Sequence, residues 1–404
     1  MILVQIVLMM TTLCQADNYK IINRAVLPVN KPAFQSLVPN KDPHVAPDLL
    51  VSSFGPMGSD HVYRISDMLN PFTKGSAKVE TFTDKISWPN EVRYINSSYL
   101  GVEGTLISSG FLVPWKSTGA VSFVDMNGKV TQLTQNKGGY FYHRAIFADV
   151  TGTGRMDIIT ARAEISMLGS HDAELVWLKR PSHPLEEPWE EVVLTKGPDF
   201  HFRVFKDRNT QQFFVVSAEF SNKRIGLYWL EKDGSVGQRV IDDGIDVVFD
   251  LDFYDLNNDG VDELLATNHE SDAAKSGVFA YEVPSDLKNG IWTRHTLLTG
   301  IQTRQPGFNQ ASPGAAKAFA PELSKAGKQK PWIIVSGDGS QRAHLLTPKS
   351  EARDNWDYNE TIILDAKSTI GEPIFYDFNQ DGLMDIVIPA YDADKLYIMS
   401  VIKN

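Results

Sequence analysis

The stretch that decides the fold is Asp377-Phe-Asn-Gln-Asp-Gly-Leu-Met-Asp385, which leads into the apolar run Ile386-Val-Ile388. Oxygen-bearing side chains stand at positions 1, 3, 5 and 9, namely Asp377, Asn379, Asp381 and Asp385. A hard cation such as Ca²⁺ takes about six to eight oxygen ligands, and Gly382 at position 6 permits a sharp turn around it. The run after the loop indicates a buried strand, and Ile388 stands where an EF-hand loop needs glutamate. An EF-hand is therefore excluded.

Two loops of the same pattern occur upstream, and each also leads into an apolar strand. Their side chains are Asp255, Asn257, Asp259 and Glu263 in one, and Asp149, Thr151, Thr153 and Asp157 in the other. We call residues 149–157, 255–263 and 377–385 the first, second and third cation loops. In the first, two hydroxyls replace charged or amide oxygens, which weakens the field on a cation. Three loops in one register indicate a repeat whose unit is strand, cation loop, strand.

These units resemble the FG-GAP/VCBS repeats, which form the blades of calcium-dependent β-propellers such as the head of the integrin α-subunit. The motifs cover three short segments, and the blade pattern around them extends over most of the chain. The resemblance implies an all-β propeller that holds Ca²⁺ in a structural role through the side chains named above. Asp262 and Glu263 both fall near the closing position of the second loop, and the resemblance favours Glu263.

The recurrence of four strands in each unit predicts a seven-bladed β-propeller of four-stranded blades, in one domain over residues 17–404. The third unit shows the pattern, with strands expected over residues 143–150, 156–163, 174–179 and 189–194. The last unit is one outer strand short, and Tyr19–Leu27 has the composition of that strand. Pairing this segment with the last strand would close the ring and cover the exposed sheet edges. The alternative is six blades, with residues 30–90 forming an irregular cap.

Residues 1–16 are typical of a secretory signal peptide. The apolar run Met1–Met10 is too short to cross a bilayer, and Cys14-Gln-Ala16 is a small-residue cleavage pattern. A membrane anchor is the alternative, and no later stretch is apolar enough to span a membrane. Cleavage would remove Cys14, the only cysteine of the chain. Asn96-Ser-Ser98 and Asn359-Glu-Thr361 are sequons for N-glycans, so we expect a secreted, extracellular glycoprotein.

The charge of the chain argues against a nucleic-acid partner. The formal net charge is −11, whereas nucleic-acid binding needs basic stripes. The sequence also contains no Gly-x-Ser-x-Gly, no His-Glu-x-x-His and no glycine-rich phosphate loop. No catalytic residue is therefore predicted from a motif, and an enzyme is the less favoured interpretation.

Polar side chains gather where the predicted first strands start and the second strands end, on the face opposite the cation loops. In a propeller these positions surround the mouth of the central channel. The candidates for a ligand site there are His143, Arg144, Arg162, Glu164, His201, Arg203, Glu219, His269 and Glu270. Equivalent positions hold Asp250, Lys317, Asp338, Glu372 and Asp392. An acidic or sugar-like ligand fits this set. The alternatives are a solvated rim of ion pairs, or a transition metal on His143, His201 and His269, because imidazole suits zinc, copper and iron.

Three functional hypotheses follow from these features. The first is a secreted, monomeric, calcium-binding matrix protein, for example of a mineralised matrix, that binds an extracellular protein or glycan at the channel mouth. The second is an extracellular carbohydrate-active lyase or hydrolase with His143, His201 or Glu219 as acid or base, which rests on analogy of fold. The third, integrin-like adhesion, is weaker because no stalk or membrane span is visible in the sequence.

Overall fold

Seven four-stranded antiparallel sheets, arranged as blades in a ring around a central channel, form the fold. The computed structural model describes residues 18–404 except residues 59, 112, 136–137, 165–171 and 305–310. The expected signal peptide, residues 1–16 with Cys14, therefore lies outside the described residues. The prediction of an all-β, seven-bladed propeller is confirmed.

The strands follow one another in chain order from β1, which is Tyr19–Pro28. The first blade contains β2 (Pro32–Val38), β3 (Asp48–Ser53), β4 (His61–Ser66) and β5 (Lys78–Thr83). The second contains β6 (Pro89–Ile95), β7 (Gly104–Ser109), β8 (Val121–Asp125) and β9 (Val130–Gln132). The third contains β10 (Tyr140–Ala148), β11 (Asp157–Glu164), β12 (Ala173–Lys179) and β13 (Glu190–Lys196).

The remaining blades repeat this order. The fourth contains β14 (His201–Lys206), β15 (Phe213–Glu219), β16 (Arg224–Leu230) and β17 (Val236–Asp242). The fifth contains β18 (Val248–Tyr254), β19 (Glu263–Asn268), β20 (Gly277–Glu282) and β21 (Thr293–Thr299). The sixth contains β22 (Ala316–Phe319), β23 (Trp332–Ser336), β24 (Arg342–Pro348) and β25 (Tyr358–Asp365). The seventh contains β26 (Ile374–Tyr376), β27 (Asp385–Ala390) and β28 (Lys395–Lys403).

Among the residues that the structure describes, helix is confined to short turns in the connections. They are α1 (Asn70–Thr73), α2 (Ser97–Leu100) and two 3₁₀ turns, Pro114–Lys116 and Leu323–Lys325. In the part of the chain that the structure describes, no helix has the length and apolar character needed to cross a membrane.

The N-terminal strand completes the seventh blade. Strand β1 pairs antiparallel with β28, from Tyr19 opposite Lys403 to Pro28 opposite Lys395, with one irregularity near Asn23. This is the ring closure that the sequence predicts. Residues 30–90 form the first blade and the start of the second rather than a cap, so the six-blade alternative is wrong.

The core lies between neighbouring blades, and strand periodicity decides which neighbour each side chain meets. Ile386, Val387 and Ile388 are all fully buried in β27. Ile386 and Ile388 pack with residues of the sixth blade such as Ile334, whereas Val387 packs with Leu49 of the first blade. Successive residues of a strand point to opposite faces of the sheet. A continuous apolar run is therefore what a strand covered on both faces requires.

The first strand of each blade lies innermost, and four of these strands are irregular near their start. The register shifts between Pro32 and Gln35 in β2, Pro89 and Val92 in β6, Tyr142 and Arg144 in β10, and Val248 and Asp250 in β18. An extra residue of this kind bends the strand and re-aims the side chain at that point. The displaced segments carry Phe34, Glu91, His143 and Phe249. The four irregularities thus shape one end of the channel.

Candidate functional site

The three cation loops connect the first and second strands of the third, fifth and seventh blades, so they lie on one face of the ring. The second and third loops share a set of internal hydrogen bonds. In the third, Asp377 accepts from the amides of Asp381 at 3.0 Å and Gly382 at 2.9 Å, and the Asp385 carboxylate accepts from Phe378 N at 2.9 Å. Three bonds of the second loop match these. Asp255 accepts from Asp259 N at 3.0 Å and from Gly260 N at 2.9 Å, and Glu263 accepts from Leu256 N at 2.7 Å.

The closing carboxylates of these two loops are poorly stabilised as anions. Burial, with smaller contributions from Asp259 and Asp255, raises the pKa of Glu263 to about 7. Burial likewise raises the pKa of Asp385 to about 6, with Asp381 and Asp377 adding to the effect. Carboxylates that crowd one another in this way would be stabilised by a bound cation.

In the first cation loop Asp149 keeps the bond from Thr153 N at 3.0 Å, but both acidic side chains also have partners outside the loop. Asp149 pairs with Lys206 Nζ at 2.9 Å. Asp157 accepts from Trp177 Nε1 and from Arg180 N, both at 2.9 Å. The hydroxyls of Thr151 and Thr153 lie 3.0 Å apart and bond to each other. These protein groups occupy the oxygens that a cation would need, so this loop is the weakest of the three candidates.

No group of three or more His, Cys, Asp or Glu side chains within the described ranges is arranged to hold a metal ion. The ligand sets expected for the loops also include amide and hydroxyl oxygens, so Ca²⁺ binding there stays a prediction. His143, His201 and His269 do not form such a group, so the structure gives no support to a transition metal bound by these three histidines.

We use the term channel mouth for the end of the channel where the first strands begin, opposite the cation loops. Three of the candidate residues meet there. The rings of His143 and His201 are 4.6 Å apart, and Phe249 lies between His201, at 6.0 Å, and His269, at 4.8 Å. These histidines come from the third, fourth and fifth blades, so the ring brings together residues that are far apart in sequence.

Two further candidates, Arg144 and Arg203, lie on the same inner strands but pair with acidic side chains. Arg144 Nε is 3.1 Å from the Glu91 carboxylate, and the Arg144 side chain is buried. Arg203 Nε lies 3.1 Å from Asp252. With Arg93 they line a cavity of about 360 Å³ in the channel. Both arginines therefore belong to the ion pairs of the channel interior.

The structure does not bring the other four candidates to the histidines. Arg162 pairs with Glu174 and Glu191 of its own blade, at 2.8 Å each. Glu219 bonds to Arg224 at 2.8 Å and contacts Tyr228, also within one blade. Glu164 is exposed at the end of β11, and Glu270 accepts from Val247 N at 3.2 Å. A position at the end of a second strand is therefore not sufficient to place a side chain at the mouth, although His269 does reach it from there.

Aromatic side chains, which the sequence reading overlooked, form much of the mouth. A cavity of about 240 Å³ is lined by Phe34, Phe54, His201, Phe249, Asp338 and Glu372, among others. Phe54 stacks on Trp88 at 4.9 Å, and Phe200 packs against His143 at 3.9 Å. A signal was present, since a phenylalanine directly precedes the polar residue in Phe34-Gln35, Phe200-His201 and Phe249-Asp250.

His201 and Asp250 form a buried pair beside this cavity. His201 Nδ1 lies 2.8 Å from Asp250 Oδ1, and the two side chains are 2% and 1% exposed. The Nε2 atom of His201 and the Nδ1 atom of His143 are buried and have no hydrogen-bond partner among the described residues. An unpartnered buried nitrogen costs stability, and a ligand atom at the mouth would supply the missing partner.

The electrostatic environment separates the two histidines. Burial lowers the pKa of His143 well below its usual 6.5, and the neighbouring His201 lowers it further. Burial alone would raise the pKa of Asp250, but Lys317 and then His201 hold it well below its usual range. The mouth thus holds a neutral imidazole next to one that is oriented by an ionised carboxylate. A histidine held in this way can accept a proton from a bound hydroxyl group.

Comparison with known proteins shows similarity at the level of the fold. No protein-family model matches the chain, and no curated protein matches its sequence. Solved structures that match include a glucose dehydrogenase, with 11% identity over 80% of this chain and 98% of that one and a TM-score of 0.43. A soluble aldose sugar dehydrogenase from Escherichia coli matches with 13% identity, coverages of 81% and 99%, and a TM-score of 0.44.

A third structure, described as a glucose dehydrogenase from Thermus thermophilus, has 13% identity, coverages of 79% and 97%, and a TM-score of 0.41. The prediction of a matrix-binding protein is corrected by these findings, since the solved structures that share the fold are named as enzymes. At such identities the similarity itself concerns the propeller fold.

Proposed function

We propose that the protein is an enzyme whose active site is the channel mouth, where His201 acts as the base. The observation that carries the proposal is the buried His201–Asp250 pair beside a cavity of about 240 Å³, because His201 Nε2 is buried and has no hydrogen-bond partner among the described residues. A base whose second ring nitrogen is held by a carboxylate keeps one tautomer and one orientation. Burial of this pair and of an unpartnered nitrogen lowers the stability of the fold, which favours a functional role for the arrangement.

The substrate that fits this site is a small molecule with hydroxyl groups and an apolar face. The cavity combines the rings of Phe34, Phe54 and Phe249 with the polar groups of Asp338 and Glu372. Sites for small molecules are mostly apolar, with a few placed polar groups that fix orientation. In the proposed reaction a substrate hydroxyl donates its proton to His201 Nε2, and the imidazolium formed is stabilised by the Asp250 carboxylate.

Aldose sugars are the first substrates to assay, because the matching structures are named glucose and aldose sugar dehydrogenases. The names of these structures are used only to select the substrates of the assay, and they are not evidence for the proposal. Purified protein is incubated with a panel of aldoses and an artificial electron-accepting dye, and binding of the same sugars is followed by calorimetry. Turnover by the wild-type protein should fall by about 10²–10⁴-fold in His201→Asn.

A matched control is His295→Asn, which alters an imidazole paired with Glu282 on an outer strand at 2.6 Å. It should leave turnover unchanged. The proposal fails if no sugar of the panel binds at millimolar concentration and none is turned over. It also fails if His201→Asn remains as active as the wild type.

We also propose that Ca²⁺ binds the second and third cation loops in a structural role. The proposal is supported by their matching hydrogen bonds and by the crowded carboxylates Glu263 and Asp385. The loops lie on the face opposite the mouth, so Ca²⁺ there would stabilise the hairpins between inner strands and take no part in the reaction. The resemblance to FG-GAP/VCBS repeats is consistent with this role.

Secretion with N-glycosylation is proposed on the sequons and the expected signal peptide. Asn96 and Asn359 are both exposed, as glycan acceptors must be. Expression of the full chain in a eukaryotic secretory host should give a protein in the medium whose mass falls on treatment with an N-glycosidase. Retention in the cytosol with no such mass change would contradict the proposal.

A further inference from the structure

The channel interior below His201 is organised around one lysine. Lys317, on β22 of the sixth blade, lies 2.8 Å from Asp250, 3.0 Å from Glu372 and 3.3 Å from Asp252. Its side chain is 8% exposed. Three carboxylates from two other blades thus surround a single buried ammonium, and one of the three also holds His201.

We propose that Lys317 is a positioning residue that sets the protonation of His201 through Asp250. The two oxygens of Asp250 are shared, one with His201 Nδ1 and the other with Lys317 Nζ, both at 2.8 Å. The ammonium therefore fixes the carboxylate that fixes the imidazole. It also offsets the negative charge that would otherwise stabilise the imidazolium form of His201.

Among the charged groups around His201, Lys317 is the cation bonded directly to the carboxylate that holds the imidazole. The titratable and charged groups around His201 are His143 and Arg144 on β10, Arg203 on β14, Asp250 and Asp252 on β18, Lys317 on β22 and Glu372 just before β26, with Asp338 and Asp392 on the wall of the cavity. Burial alone would lower the pKa of Lys317, but Asp250, Asp252 and Glu372 raise it above its usual value. The ammonium thus keeps its charge over the whole working range of pH.

Removing this charge leaves three carboxylates with Arg203 as their remaining close cation. His201 should then take up its proton at a higher pH and be a weaker catalyst near neutrality, because the base must be neutral to act. The inference rests on the proposed function only in calling His201 the base. The coupling of charges can be measured without any substrate.

The test follows the pH titration of the His201 ring by nuclear magnetic resonance in protein labelled with ¹⁵N-histidine. In Lys317→Met the titration should move upward by about one pH unit, the size expected for loss of one nearby charge. In Lys317→Arg, which keeps the charge, the titration should stay near that of the wild type. Arg162→Met serves as control, because Arg162 is equally buried between two carboxylates but lies outside the channel.

Lys317→Met leaves buried carboxylates unpaired and can prevent folding, so Lys317→Met/Glu372→Gln is made in parallel to restore the charge balance. Here too His201 should titrate above the wild-type pH, because Asp250 has lost its direct partner. If neither methionine variant folds, Lys317→Arg decides, and a shift of its titration by a full unit contradicts the proposal.

An unchanged titration in a folded methionine variant overturns the proposal, and so does an equal shift in Arg162→Met. Neither result depends on turnover, so this proposal can fail while the assignment of His201 as the base holds. Conversely, a shifted titration in a protein without any activity would support the coupling and contradict the enzyme assignment.

Discussion

The two ends of the channel are built in different ways. At the second and third cation loops the first and last acidic side chains accept amides of their own loop, as Asp377 does from Asp381 four residues later. At the mouth the contacts join separate blades, since His201 and Asp250 are 49 residues apart and Asp250 and Lys317 are 67 apart. The loops are therefore independent units, whereas the mouth is one interdependent network. A substitution should act locally at one end and on the whole ring at the other.

The largest effect is expected at the interdependent end. Asp250→Ala removes the shared partner of His201 and Lys317 and leaves buried polar groups unpaired, which should lower the free energy of unfolding by about 3–5 kcal/mol. Urea denaturation followed by tryptophan fluorescence measures the change. Glu190→Ala is the control, since its pair with Lys179 is exposed and should contribute less than about 1 kcal/mol. Equal losses of unfolding free energy in the two variants would contradict the expected difference between the buried network and the exposed pair.

The next effect concerns the independent end. Ca²⁺ at about 1 mM should raise the free energy of unfolding by about 0.4–1.4 kcal/mol for each loop it occupies, since extracellular sites often have Kd values of about 10⁻⁴–10⁻³ M. Thermal unfolding with Ca²⁺ and with a chelator measures this difference. Asp377→Ala and Asp255→Ala should each abolish part of it, and Asp149→Ala should not, because Lys206 already pairs with that carboxylate. A melting temperature that chelation leaves unchanged would contradict Ca²⁺ binding.

His143 should make the stability of the mouth depend on pH. Its pKa is lowered in the folded protein by burial and then by His201, so the unfolded chain binds more protons as the pH falls below the ordinary value of 6.5. Stability should therefore be greatest above that pH and decrease toward pH 5, by about 1–2 kcal/mol from this residue. The measurement is the difference between wild type and His143→Phe at pH 5 and pH 7.5. Parallel pH dependences in the two proteins would show that His143 contributes nothing.

The smallest effect tests the turn within a loop. Gly382 has φ of +83°, and an added Cβ meets no atom within 4 Å, so Gly382→Ala costs only the backbone strain of about 1 kcal/mol. Gly154 has φ of +79° and similar space, so Gly154→Ala should cost the same. Chemical denaturation compares the two variants. A cost several times larger for one of them would show that the loops are not equivalent turns.

The fold was readable from the sequence because its determinants are local and repeated. The run Ile386-Val387-Ile388 marks a strand covered on both faces, and the loop before it marks the turn between two strands. Even the closing strand was recognisable, since one blade lacked an outer strand and Tyr19–Leu27 offered it. These signals need no knowledge of distant contacts.

The site was only partly readable because its determinants are distant. His143, His201 and His269 were identified from their place at strand starts and ends, but Arg162 and Glu219 share that pattern and face other partners. Which residues converge depends on the distance of each strand from the axis and on bulges such as the one at His143. The aromatic side chains of the channel mouth were overlooked because a phenylalanine at a strand start normally indicates a core position.

The pairing of strand β1 with β28 determines when the ring can close during folding. Among the described strands β1 comes first in sequence, yet its sheet partner, β28, follows all the others. Strand β1 therefore stays unpaired until β28 has been synthesised. With Asn404 N only 2.9 Å from Asn18 O, beginning and end are neighbours, so a circular permutant that joins them and opens a surface turn should assemble its blades without this delay.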